Sequence, residues 1–194
     1  MTTTVGLIYN DGVILGSDQR ATMGHFIACK TAQKVHMISS TVGFTIAGGV
    51  GDAQELIRVL RFEAALYKFR RGTPMSVSAV NSLLSNFMTQ NRTHPYEVHP
   101  TIGGFDDTGA RLFTMDAVGG SSEEVEFSST GSGSPAALGI LEDDYIAGMS
   151  EEEAINITVR AIATAKKRDT GSGEATAIVV IDKGGYRNAK IINH

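Results

Sequence analysis

Three residues close to the start of the chain could do chemistry together. Thr2 follows Met1, and a small second residue permits cleavage of an initiator methionine, so removal of Met1 is expected. Thr2 would then carry a hydroxyl and a free α-amino group on one residue. A free α-amine titrates at about 7.7–8.0, which suits a general base near neutral pH. Threonine activated by its own terminal amine is a recognised nucleophile. Asp18 ends one β-rich run and Lys34 begins another. A lysine nearby would lower the pKa of both groups of Thr2, and an aspartate would hold that lysine charged and in place. An acid and a base at strand ends usually form a solvated ion pair, and many chains start Met-Thr, so neither signal carries the assignment alone.

Other segments bear on the same chemistry. Ala47-Gly48-Gly49-Val50-Gly51-Asp52 joins a strand to a helix. Free backbone N–H groups near a helix N-terminus can stabilise an oxyanion, although such a run is more often a plain glycine turn. Neither G-x-x-x-x-G-K-[ST] nor a dinucleotide-type G-x-G-x-x-G is present. Thr130-Gly131-Ser132-Gly133-Ser134 lacks the G-x-S-x-G spacing of a nucleophile elbow, so a serine hydrolase is not expected. Arg168-Asp169-Thr170-Gly171-Ser172-Gly173 offers a carboxylate and a hydroxyl on a glycine-bent loop, or simply a helix C-cap. His94 and His99 flank a segment held extended by Pro95 and Pro100, far from Cys29, so a loop is expected and no metal site.

The elements that must position these groups can be read from period and turn residues. Val5–Tyr9 and Val13–Asp18 are two strands joined at Asn10-Asp11-Gly12, where Asp-Gly supplies a positive φ. Lys34–Ile38 and Val42–Ala47 form a second pair. A helix follows, with Asp52 as cap and Glu55 closing a capping box, and it stops at Gly72-Thr73-Pro74. Val77, Val80, Leu83, Leu84, Phe87 and Met88 mark a second helix. Strands return at Thr101–Phe105 and Arg111–Met115, with a short one at Val125–Phe127. Helices are expected from about Ser134 to Gly148 and about Ser150 to Arg168, the latter with a Ser150/Glu153 capping box. Ala175–Asp182 and Ala189–Ile192 close the chain around Lys183-Gly184-Gly185. Grouped strands and helices predict an α+β fold, a four-layer αββα sandwich with antiparallel sheets inside and helix pairs outside.

Composition sets the class. The 194 residues make about one domain, 1–194. A net charge of −4 argues against nucleic-acid binding. With 42% hydrophobic and 20% charged residues the chain should fold without staples. The single cysteine excludes an internal disulfide. No apolar run approaches the roughly 20 residues of a membrane span, and the start has no signal-peptide pattern, so a cytoplasmic protein is expected.

Taken together the segments resemble the catalytic β-subunits of the 20S proteasome, the archaeal type in particular. The resemblance is carried by Thr2-Thr3-Thr4-Val5-Gly6, Gly16-Ser17-Asp18-Gln19-Arg20-Ala21-Thr22-Met23-Gly24, Lys34, Ala47–Gln54, Gly131-Ser132-Gly133 and Arg168–Gly173. These segments occur in family-like order and spacing over essentially the whole chain. The resemblance implies an N-terminal-nucleophile hydrolase fold and a threonine endopeptidase. It implies Thr2 as nucleophile and base, and Asp18 and Lys34 as the pair that tunes it. The Gly48 N–H would be the oxyanion donor, and Ser132, Asp169 and Ser172 would place the terminal amine and a water. No metal or cofactor is implied. Ala21, Ala32, Ile46 and Val50 would line the pocket for the residue before the scissile bond, with His36 at its rim. That apolar pocket implies chymotrypsin-like cleavage after large hydrophobic residues. Thr22, Gly48 and Val50 would hold an extended, unfolded substrate through backbone hydrogen bonds. Implied partners are further β-subunits in a seven-membered ring, α-subunit rings in an α7β7β7α7 stack, and a regulatory ATPase acting through the α-rings.

Alternatives stay open. The bacterial HslV peptidase shares the threonine and the fold; four helices, a full C-terminal half and the Ala21–Phe26 run favour the proteasome type, and a two-layer hexamer would decide for HslV. A non-catalytic or immature β-type ring subunit is the reading if Met1 is retained, because the Thr2 nitrogen would then be an amide. Many family members carry a propeptide, whereas only Met1 precedes Thr2 here. A small-molecule amidohydrolase of the same fold is a third reading.

Overall fold

Tyr9 and Gly12 pair directly, so the first turn is the two-residue Asn10-Asp11. Gly12 does not take the positive φ expected of it. It is needed for another reason: a Cβ there would lie 2.4 Å from the Ile181 carbonyl oxygen. The computed structural model describes residues 1–192; the predicted domain also includes 193 and 194, which lie outside the described residues. The hairpin is β1 (Thr4–Tyr9) and β2 (Gly12–Asp18). Then come β3 (Ala21–Met23), β4 (Phe26–Cys29), β5 (Val35–Ser39), β6 (Val42–Thr45), α1 (Val50–Arg71) and α2 (Val77–Gln90). The second half runs β7 (Thr101–Asp106), β8 (Gly109–Met115), β9 (Ser121–Glu124), β10 (Phe127–Thr130), α3 (Ser134–Asp144), α4 (Glu151–Lys166), β11 (Thr176–Asp182) and β12 (Gly185–Ile192).

Two five-stranded antiparallel sheets form, β10-β1-β2-β11-β12 and β5-β6-β7-β8-β9, with β3-β4 a small separate ribbon. Three apolar layers separate four structural layers, as the sandwich reading required. Val13, Leu15, Leu112, Val179 and Ile181 pack between the two sheets. Leu56, Leu60, Val80, Leu84 and Met88 of α1 and α2 cover the second sheet through Phe44 and Ile102. Leu141, Ala154, Ala161 and Ile162 of α3 and α4 cover the first through Val5, Leu7 and Ile14.

The structure corrects several local readings. Gly49, and not Asp52, is the N-cap of α1, and it makes no side-chain cap bond. The Asp52 carboxylate instead accepts the Glu97 N–H at 2.7 Å, tying the loop before β7 to α1. The Ser150/Glu153 box is present as expected. α3 stops at Asp144, where Tyr145 turns extended and packs edge-on to Phe127 at 5.3 Å. α4 ends at Lys166, two residues early. Val125 and Glu126 fall in the bend between β9 and β10, with Val125 exposed.

Candidate active site

Asp18 ends β2 in one sheet, and Lys34 directly precedes β5 in the other. Their side chains meet across the edge of the sandwich, Lys34 Nζ donating to Asp18 Oδ1 at 2.7 Å. The carboxylate has no solvent exposure and Lys34 very little. The Thr3 N–H donates to the same Oδ1 at 3.0 Å. The other oxygen, Oδ2, accepts the N–H groups of Arg20 at 3.0 Å and Gly173 at 2.9 Å. Burial pushes the Lys34 pKa below the usual lysine range, and the charge and hydrogen bond of Asp18 oppose that push.

Thr2 lies just ahead of β1 and is buried. Its N–H donates to Ser132 Oγ at 3.1 Å. Ser132 Oγ in turn donates to Asp169 Oδ2 at 2.7 Å, and Ser172 Oγ donates to the same oxygen at 2.6 Å. Ser172 Oγ also shares a proton contact with Thr3 Oγ1 at 2.6 Å. Burial raises the Asp169 pKa, but the hydrogen bonds from Ser172, Ser132 and the Gly171 N–H outweigh it and hold the carboxyl below the usual aspartate value. The turn that delivers Ser132 can approach Thr2 only through Gly131. Its φ is +95°, and a Cβ there would lie 2.1 Å from the Thr2 carbonyl oxygen.

Gly48 faces Val98 in an isolated antiparallel bridge. The bridge bonds are Gly49 N–H to Glu97 O at 2.6 Å and His99 N–H to Ala47 O at 2.8 Å. In that pattern the central residue's own N–H points away from the partner strand. Gly48 lines two cavities, both of which also touch Met1 and Thr2. One, of about 420 Å³, is lined by Ala21, Thr22, Ala32, Lys34, His36, Ile46 and Val50, which include all five residues expected to contact substrate. The other, of about 540 Å³, runs past His99, Thr130, Gly131, Ser132 and Ser134. Thr2 therefore sits where the two meet. Val50 is the first residue of α1, so its N–H stays free of the helical ladder while its carbonyl enters it.

The structure thus brings Thr2, Asp18, Lys34, Gly48, Ser132, Asp169 and Ser172 into one cluster. Sequence reasoning missed Cys29, Gln33 and Gln54, which also line the smaller cavity and make it more polar than expected. Cys29 arrives because it pairs with Ala21 in the β3–β4 ribbon, whose three- and four-residue strands carry no clear alternation. The described residues hold no group of three or more His, Cys, Asp or Glu side chains suited to a metal.

The family described as "Proteasome subunit" matches residues 1–181. The "Proteasome subunit beta" of Methanoregula boonei is 52% identical over 187 residues, spanning 96% of this chain and 88% of that protein. The "Proteasome subunit beta" of Methanoculleus marisnigri is 51% identical over 185 residues, 95% of this chain and 86% of that protein. That of Methanosarcina thermophila is 50% identical over 186 residues, 96% and 89%.

Proposed function

The chain belongs to the proteasome subunit family, with its similarity to the β type, and from that premise we propose that it is a threonine endopeptidase with Thr2 as nucleophile. One observation carries the reading: a single buried carboxylate, Asp18, holds both Lys34 Nζ and the backbone next to Thr2. A cation kept dry beside a hydroxyl lowers the cost of its alkoxide.

Cleavage of the Met1–Thr2 bond comes first. With Met1 attached the Thr2 nitrogen is an amide without a basic lone pair. Once freed, the amine takes the Oγ1 proton as Oγ1 bonds to the substrate carbonyl carbon. The carbonyl oxygen becomes an oxyanion within reach of the Gly48 N–H. Collapse breaks the C–N bond, and the leaving amine takes the proton, which leaves an ester on Thr2. Water then adds, the ester C–O bond breaks, and Thr2 regains its proton. The Ser132–Asp169–Ser172 chain anchors the Thr2 nitrogen throughout. Cavities on both sides of Thr2 suit a chain crossing it with side chains disposed to either side. Ala21, Ala32, Ile46 and Val50 favour a large hydrophobic residue before the cut bond. The substrates would be unfolded polypeptides in a chamber of seven-membered β-rings capped by α-rings, fed by an ATPase, in the cytoplasm. Among the described residues no helix is long and apolar enough to cross a membrane.

A subunit that kept Met1 would be immature or non-catalytic, because its Thr2 nitrogen would stay acylated. Intact mass of the assembled protein separates that subunit from the active one. With Met1 gone, fluorogenic peptides ending in hydrophobic residues should be cleaved faster than basic or acidic ones. Thr2→Ala should lose activity on the order of 10³-fold or more. Full activity in Thr2→Ala would sink the mechanism.

A further inference from the structure

Glu174 is the one non-glycine residue with a positive φ, +63°, among the described residues. It lies between α4 and β11, on the segment that carries Asp169, Ser172 and Gly173. A side-chain-bearing residue stays in that conformation only where its surroundings hold it. Glu174 is held from two sides. Its carbonyl accepts Lys166 Nζ at 2.6 Å. Its carboxylate Oε1 accepts Arg20 Nε at 3.3 Å and Nη2 at 3.2 Å. Lys166 Nζ also donates to Thr176 Oγ1 at 2.6 Å, and Thr176 stands opposite Asp18 in the β2–β11 register. Arg20 further donates to the Thr170 carbonyl at 3.0 Å. The guanidinium lies against Gly173 so closely that a Cβ there would fall 2.2 Å from Arg20 Cζ. The Gly173 N–H, one residue before the kink, donates to Asp18 Oδ2, the oxygen opposite the one that holds Lys34.

We propose that Lys166 is a positioning residue of this site: by pinning the Glu174 carbonyl it holds the Gly173 N–H on Asp18 and so sets the Asp18–Lys34 pair, with Arg20 as the opposing clamp. The inference rests on the Thr2 reading above. A lysine in the last turn of a helix ordinarily keeps its ammonium in water. Lys166 is half-buried, and burial pushes its pKa down, with Asp18 and Glu174 opposing and Lys34 and Arg20 adding to the fall. Lys34 in turn faces Asp18, Asp169 and Arg20. The Lys166 charge is therefore felt by the pair it positions.

The test uses the assembled, Met1-free particle and compares wild type, Lys166→Met, Lys166→Arg, Glu174→Gly and Thr2→Ala. Lys166→Met should lower kcat about tenfold and leave KM nearly unchanged, the signature of a misplaced reacting group. The limb of the pH–rate profile that reports Lys34 should move to higher pH, because a neighbouring cation is gone. Lys166→Arg should recover most of kcat. Glu174→Gly adopts the same φ freely and keeps the carbonyl that Lys166 pins but gives Arg20 nothing to hold, so a loss of kcat in a fully folded particle reports the opposing clamp; where Lys166→Met does not assemble, the shorter and uncharged Lys166→Gln decides the matter by the same kcat and pH readouts. Unchanged kcat and pH profile, or a change in KM alone, overturns the inference. An active Thr2→Ala instead removes the functional reading and this inference with it, whereas an inactive Thr2→Ala beside an unaffected Lys166→Met removes this inference only.

Discussion

Asp18 divides its two oxygens between separate tasks. Oδ1 faces Lys34 and the Thr3 backbone, and Oδ2 is spent on the Arg20 and Gly173 N–H groups. Removing either member of a buried pair strands the other. Lys34→Met should therefore destabilise the fold by about 3–5 kcal/mol, read as a fall in denaturant midpoint. Asp18→Asn acts on charge instead. The Asp18 carboxylate raises the Lys34 pKa against burial, so its loss should move the Lys34 limb of the pH–rate profile to lower pH. A limb that stays put would separate Lys34 from the rate. Folding carries the same sign: Lys34 binds its proton less tightly folded than unfolded, so its burial penalty fades as pH rises from its lowered pKa toward the ordinary lysine value.

At the scale of elements, the turn before α3 is the narrowest passage. Gly131→Ala places a Cβ 2.1 Å from the Thr2 carbonyl oxygen at a φ of +95°. It should cost about 1–3 kcal/mol or more, and Thr2 should shift away from Ser132. A lower Tm together with lost peptide hydrolysis would show both. The same elements show what a linear sequence displays. The Ser150/Glu153 box was legible because it depends on residues three apart. The Asp52/Glu55 pattern had the same spacing but failed, because α1 starts at Val50 and leaves Asp52 inside its first turn, where the side chain accepts the Glu97 N–H from a distant loop. β9 and β10 were hidden because Ser121–Glu124 and Phe127–Thr130 are mostly polar and short. Thr2, Asp18, Lys34, Ser132, Asp169 and Ser172 were legible through motifs around each. Cys29, Gln33 and Gln54 carry no such motif and enter the cavity only through the fold.

Across the whole molecule the outer surface is not uniformly polar. α1 exposes Phe62 (64%) and Phe69 (88%) on its outer side, among Arg58, Arg61, Lys68, Arg70 and Arg71. Large exposed aromatics mark surfaces that associate, in keeping with a family whose members assemble with other subunits. The purified chain should run well above 20.6 kDa in light scattering, and Phe62→Ser with Phe69→Ser should shift it toward that mass. A wild-type peak at the single-chain mass would contradict this. The order of the strands carries one more consequence, concerning time. β1 is an interior strand, with β10 on one side and β2 and β11 beyond. Thr3 meets Ser172 across 169 positions, and Asp18 meets Gly173 across 155. A chain emerging from the ribosome thus exposes Thr2 first and completes the surroundings of that threonine last. While synthesis is under way, a nascent chain lacking its final segment has neither Ser172 beside Thr3 nor Gly173 on Asp18, so the cluster around Thr2 stays unassembled.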